Sequence, residues 1–161
     1  MRKFLPCLFL LAFVSTVFAA PSFDPTKPLN LRFTALGGQQ VNLADMRGKV
    51  VLLDFWASSD PACRQNEFQV VAAYKKYHDQ GFDILGISQD QGKNALLRFI
   101  QAYGMYWPQY FDGLGKSNRI STSLGVESIP TMWLIDKKGM VRNTHVGNDL
   151  AAQVKKLLKT P

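Results

Sequence analysis

Apolar positions change their spacing several times along this chain, and each change marks an element. Lys49 to Trp56 is almost continuously apolar and rich in β formers, the pattern of a strand covered on both faces. Asp60 follows as a good helix N-cap, and Pro61 suits the first helical position. A helix is expected from there to about Gln80, stopped by Gly81. Phe82 to Ser88 reads as the next strand. Leu96, Phe99, Ile100 and Tyr103 then fall at i, i+3, i+4 and i+7, one face of an amphipathic helix ending at Gly104. Trp107 to Phe111 is a short strand or extended loop, and Lys116 to Leu124 a weak helix. Thr131 to Asp136 and Met140 to Val146 flank Lys137-Lys138-Gly139 as a hairpin, and Leu150, Val154, Leu157 and Leu158 give a closing helix its apolar face. Upstream, Leu31 to Leu36 and Gln40 to Leu43 flank Gly37-Gly38 as a first hairpin. This order predicts one α/β domain over residues 29–161, a central mixed sheet flanked by helices with a β-hairpin at its N-terminal end.

The N-terminus adds a location. With 161 residues, 47% of them apolar, the chain has enough for one domain with a sizeable core. Met1-Arg2-Lys3 is basic, Phe4 to Val14 is apolar apart from Pro6 and Cys7, and Val17-Phe18-Ala19 sets small residues near a cleavage point. Residues 1–20 therefore read as a secretory signal peptide, and residues 21–28, with three prolines, as an extended mobile linker. The alternative is an uncleaved anchor in the cytoplasmic membrane, for which this segment sits at the short limit of roughly 17–25 residues. Export, in all expectation to a periplasm, follows. Loss of Arg2 and Lys3 leaves 17 basic and 12 acidic residues, a net +5 in place of +7. Much of the excess sits at Lys137-Lys138 and Lys155-Lys156-Lys159, as a hairpin turn and an outer helix face would carry it. Export argues against nucleic acid as a partner. No glycine-rich phosphate loop or nucleotide fingerprint is present, and no cofactor is expected.

Cys7 leaves with the signal, so Cys63 is the mature chain's single cysteine and cannot pair within its own molecule. With Asp60 as cap it occupies the third helical position. Unpaired backbone N–H groups and the helix dipole there favour a thiolate, and Arg64 adds a positive charge nearby. Asp60 opposes them, since a carboxylate three residues away disfavours a second anion. Asp54 lies in an otherwise apolar strand, where burial would raise its pKa and let it exchange protons near neutrality. Glu67 is expected on the surface of the helix. His78 and His145 stand alone, and one cysteine with two distant histidines lacks a metal-ligand pattern, so no metal is expected.

Several segments in sequence order carry a resemblance. Val51-Leu-Leu-Asp-Phe-Trp-Ala57, the Asp60-Pro61-Ala62-Cys63-Arg64 turn and Ile129-Pro-Thr-Met-Trp-Leu-Ile-Asp136 together resemble the TlpA/ResA group of thioredoxin-like proteins, within the wider redoxin (AhpC/TSA) superfamily that also holds the peroxiredoxins. Gly37-Gly-Gln-Gln-Val-Asn-Leu43 and Trp107-Pro-Gln-Tyr-Phe-Asp112 resemble it too. The resemblance runs from about Lys27 to Lys159. It implies a thioredoxin-like fold and thiol–disulfide chemistry, with Asp60 standing where the first cysteine of the Cys-x-x-Cys motif belongs and Cys63 as the second. It implies that Asp54 takes the proton of Cys63. It also implies a cis Ile129–Pro130 bond beside the turn, with Ile129 pairing an extended peptide and Trp56 lining the same groove or packing in the core.

Three functions are then open. The first is thiol–disulfide exchange through Cys63 alone, with exported protein thiols or disulfides, or an external reductant, as partners. The second is a binding module that keeps the groove without redox turnover. The third is a one-cysteine peroxidase, weakened because the Asp60 carboxylate would repel a peroxide-derived anion.

Overall fold

The computed structural model describes residues 23–160. The expected signal segment therefore lies outside the described residues. Five strands form the central sheet: β3 (Val50–Trp56), β4 (Phe82–Ser88), β5 (Gln109–Phe111), β6 (Thr131–Ile135) and β7 (Val141–Asn143), in the order β5-β4-β3-β6-β7. β3 pairs parallel with β4 and antiparallel with β6, so the sheet is mixed. A separate antiparallel pair, β1 (Arg32–Thr34) and β2 (Gln40–Asn42), forms the first hairpin. Among the described residues four helices complete the fold: α1 (Pro61–Tyr77), α2 (Lys93–Tyr103), α3 (Arg119–Ser123) and α4 (Leu150–Leu158).

β3 and β4 are buried along their whole length, as their continuous apolar runs require. Alternate residues of β3 then serve two cores. Val50, Leu52 and Trp56 face a layer holding α1, α2 and α4, with Val70, Leu96 and Val154 among its buried members. Val51, Leu53 and Phe55 face the opposite layer, built from the β1–β2 hairpin and Ile120 of α3. Period-two alternation places Asp54 on the same face as Leu52 and Trp56, toward α1.

Three expected boundaries moved. α1 ends at Tyr77, and a 3-10 turn over His78–Gln80 carries the chain to Gly81, whose φ of 95° closes it. β7 covers only Val141–Asn143, because the pairing shifts register at Leu134/Ile135; beyond it Val146 N–H still donates to the Met132 carbonyl (3.2 Å). The segment from Phe23 to Pro28, expected as a mobile linker, contains a turn in which Thr26 N–H and hydroxyl donate to Asp24. Phe23 packs on Trp133 with ring centroids 4.6 Å apart, so an aromatic side chain anchors what the prolines alone suggested would be free.

Candidate active site

The site is built where β3 ends and α1 begins. Asp60 has extended backbone angles and its Oδ1 accepts the Cys63 N–H at 2.7 Å. The cap satisfies one of the orphan donors of the first turn, and Pro61 occupies a position where no N–H is needed. Cys63 is thereby fixed at the third helical position, fully buried. The donor that would have favoured a thiolate is already engaged by a carboxylate.

The thiol's pKa is pushed well up, by burial first and then by the Asp60 and Asp54 charges; only the Ala57 backbone N–H acts the other way. Arg64 was expected to assist the thiolate. Its exposed guanidinium instead helps lower the Asp60 pKa, behind the larger effect of the Cys63 N–H bond. The opposing effects weighed in the sequence thus resolve toward a protonated resting thiol.

Asp54 is fully buried, and so is Glu67, which the sequence reading placed on the surface. Glu67 lies one helical turn beyond Cys63, at i+4, and continues a buried face through Val70, Ala73 and Tyr77. That spacing is the signal that could have found it. None of the four carboxyl oxygens of Asp54 and Glu67 has a partner at hydrogen-bonding geometry among the described residues. The groups are nevertheless close enough to act on each other. Burial raises both pKa values, and the Asp54 charge raises Glu67 further. The two carboxyls titrate as a pair, and burial holds protons on it above the ordinary carboxylate range.

The Ile129–Pro130 bond is cis. Pro130 lines an open groove of about 550 Å³ together with Ala62, Gln65, Asn66, Phe68, Gln69 and Asn148. Cys63 follows Ala62 in α1, but it is buried and does not itself line the groove. Ile129 is half-buried and packs on both cores. Trp56, the other expected groove residue, is not in it. Its ring turns inward onto Phe99 (centroids 5.1 Å apart), and its Nε1–H donates to Gln109 Oε1 at 3.2 Å. Core packing is its role. Phe68, 66% exposed, is the aromatic that borders the groove.

A further group, missed in the sequence, holds the turn. Asp90 accepts from Ser58 N–H (3.1 and 3.0 Å), from the Ser58 hydroxyl (2.6 Å) and from the Ser88 hydroxyl (2.9 Å). The parallel register, which sets Trp56 beside Ser88, also sets Ser58 near Asp90. No local pattern discloses a contact made across 32 residues of chain.

A buried thiol at the N-terminal end of α1, a carboxyl in the central strand behind it and a cis-proline groove beside it define the thioredoxin-like class of thiol–disulfide proteins. The comparisons agree, and the chain belongs to the AhpC/TSA family, whose profile matches residues 19–144. It is 32% identical over 130 residues to the thiol-disulfide oxidoreductase ResA of Bacillus thuringiensis, covering 81% of this chain and 73% of that protein. The thioredoxin domain of a thiol-disulfide oxidoreductase from Bacteroides vulgatus superposes with a TM-score of 0.72 at 27% identity, covering 88% of this chain and 99% of that one. A thiol:disulfide interchange protein from Bacteroides sp. gives a TM-score of 0.68 at 28% identity, over 87% and 90% of the two chains.

Proposed function

We propose that this chain is an exported protein that acts in thiol–disulfide exchange through Cys63 alone. The observation that carries the reading is the position of Cys63, beside the Pro130 groove and in front of the Asp54–Glu67 pair. In the exchange step the Cys63 proton passes to the ionised Asp54, and the thiolate attacks one sulfur of a partner disulfide. A mixed disulfide forms with Cys63, the partner's S–S bond breaks, and its other sulfur leaves as a thiolate. An external thiolate then attacks the partner sulfur of the mixed disulfide, freeing Cys63 and carrying the partner away as a new disulfide. Partners of this kind are exported proteins with accessible disulfides. Export itself rests on the basic and apolar residues of the first 20 positions.

One observation favours a second reading, a binding module without turnover. Cys63 has no solvent exposure and its thiol is held protonated, so at rest it is a poor nucleophile. Reaction of the native protein with a small aromatic disulfide across pH, read by intact mass, separates the two. Exchange predicts one adduct per chain, on Cys63, forming faster as pH rises. An adduct that forms only after denaturation overturns exchange and leaves the binding module.

A further inference from the structure

At the end of the molecule opposite Cys63, four separate parts of the chain bring basic side chains together. α1 closes with Lys75 and Lys76, and α4 with Lys155, Lys156 and Lys159 at its cap. The β6–β7 turn contributes Lys137 and Lys138, and the Arg47 guanidinium lies against Gly139 of that turn. Direct contacts join them. Lys137 Nζ donates to the Leu158 and Thr160 carbonyls (2.7 and 2.9 Å), and Gly48 N–H donates to the Lys137 carbonyl (2.9 Å). Lys76, Lys155 and Lys159 border one shallow depression of about 370 Å³.

Acidic groups do not neutralise this end. Asp83 is paired with Lys49 and Asp136 with Arg142, leaving exposed Asp79 and Asp45 against the lysines. Among the described residues, Lys75, Lys76, Lys138, Lys155, Lys156 and Lys159 form no ion pair. Helix dipoles account for a lysine or two at each helix end. They do not account for the hairpin turn converging on the same surface.

We propose that this basic end is a docking surface for an anionic phospholipid bilayer. Lysines are hydrated point charges, suited to a diffuse layer of phosphate headgroups more than to a fixed bidentate partner. A protein partner would call for an exposed aromatic or aliphatic anchor at the centre of the patch. Among the described residues the exposed large apolar side chains are Phe68, Leu97, Tyr106 and Leu114; Phe68 shares a depression with Lys75 at the edge of this end, and none of the four borders the depression of Lys76, Lys155 and Lys159. No helix of the described residues is long and apolar enough to cross a membrane, so this part meets a bilayer by its surface. Docked this way, α1 holds the Pro130 groove, which its residues 62 to 69 line, on the order of 10–20 Å from the headgroups.

The test is flotation of the chain lacking residues 1–20 with phosphatidylcholine vesicles, with and without phosphatidylglycerol, at about 0.01 M and about 1 M salt, where the Debye length falls from about 30 to about 3 Å. Binding to the anionic vesicles alone, lost at high salt, is expected. The variant Lys155→Glu/Lys156→Glu/Lys159→Glu should bind at least about tenfold more weakly. Lys138→Glu, which leaves every helix untouched, should weaken binding in the same direction. Lys93→Glu/Arg98→Glu/Lys116→Glu makes the same change in net charge elsewhere and should bind as the wild type does. No flotation at low salt, or equal loss in the two triple variants, overturns the proposal. So does capture by soluble polyglutamate without vesicle binding, which would assign this end to an acidic protein.

Discussion

Asp54 and Glu67 are buried carboxyls that hold protons above the pH at which they would ionise in water. Unfolded, both titrate near pH 4. Above that pH the folded state binds more protons than the unfolded state, so stability must fall as pH rises. The pair's contribution is fully present below about pH 4 and is lost as pH climbs through the two raised titrations. Glu67→Gln removes one of the two. Thermal melts from pH 4 to 9 should show a shallower decline for the variant and a higher melting temperature at the alkaline end. An unchanged pH slope would remove Glu67 from this role. Asp60 is set against its neighbour in a second way, because it both caps α1 and repels the Cys63 thiolate. Asp60→Asn keeps the capping oxygen and removes the charge. Its stability should match the wild type, while Cys63 titrates lower and reacts faster with a thiol reagent. Asp60→Ala loses the cap as well, and about 1 kcal/mol with it.

At the scale of elements, the β3–α1 turn is held from the side by the end of β4. Asp90 accepts three donors from Ser58 and Ser88, and Gln89 N–H donates to the Trp56 carbonyl at 2.7 Å. Asp90→Ala strands those donors and should cost about 1–3 kcal/mol. Hydrogen exchange should show the loss at residues 57–60 first; a loss spread evenly over the sheet would contradict a local anchor. β4 carries a second constraint at Gly86, which pairs with Asp54 on one side and Gln109 on the other. A Cβ there would overlap the Gln109 carboxamide, the acceptor for Trp56. The glycine lets β5 bring that carboxamide over the strand and turn the indole inward. This is why Trp56, adjacent to the site in sequence, is part of the core.

For the whole molecule, the elements were legible because their signals are local. The apolar runs of β3 and β4, the Asp60-Pro61 start of α1 and the i, i+3, i+4 spacing of α2 each need only a few neighbouring residues. What escaped depends on distance. Asp90 and Gln109 act across strands, and the thiol's protonation depends on burial that no local pattern measures. Glu67 was legible by its i+4 spacing from Cys63 on the buried face of α1, where the sequence alone had suggested the surface. On the function proposed above, the site is a thiol–disulfide centre that lacks only a thiol at position 60. Asp60→Cys tests that claim most directly. Residues at the cap and third helical position have Cα atoms roughly 5–6 Å apart, a separation a disulfide accepts. The variant should form an internal disulfide, lose its free thiols on oxidation and reduce insulin under conditions where the wild type does not. A variant that folds and oxidises yet stays inactive would contradict the account, placing the divergence of this site beyond the one residue.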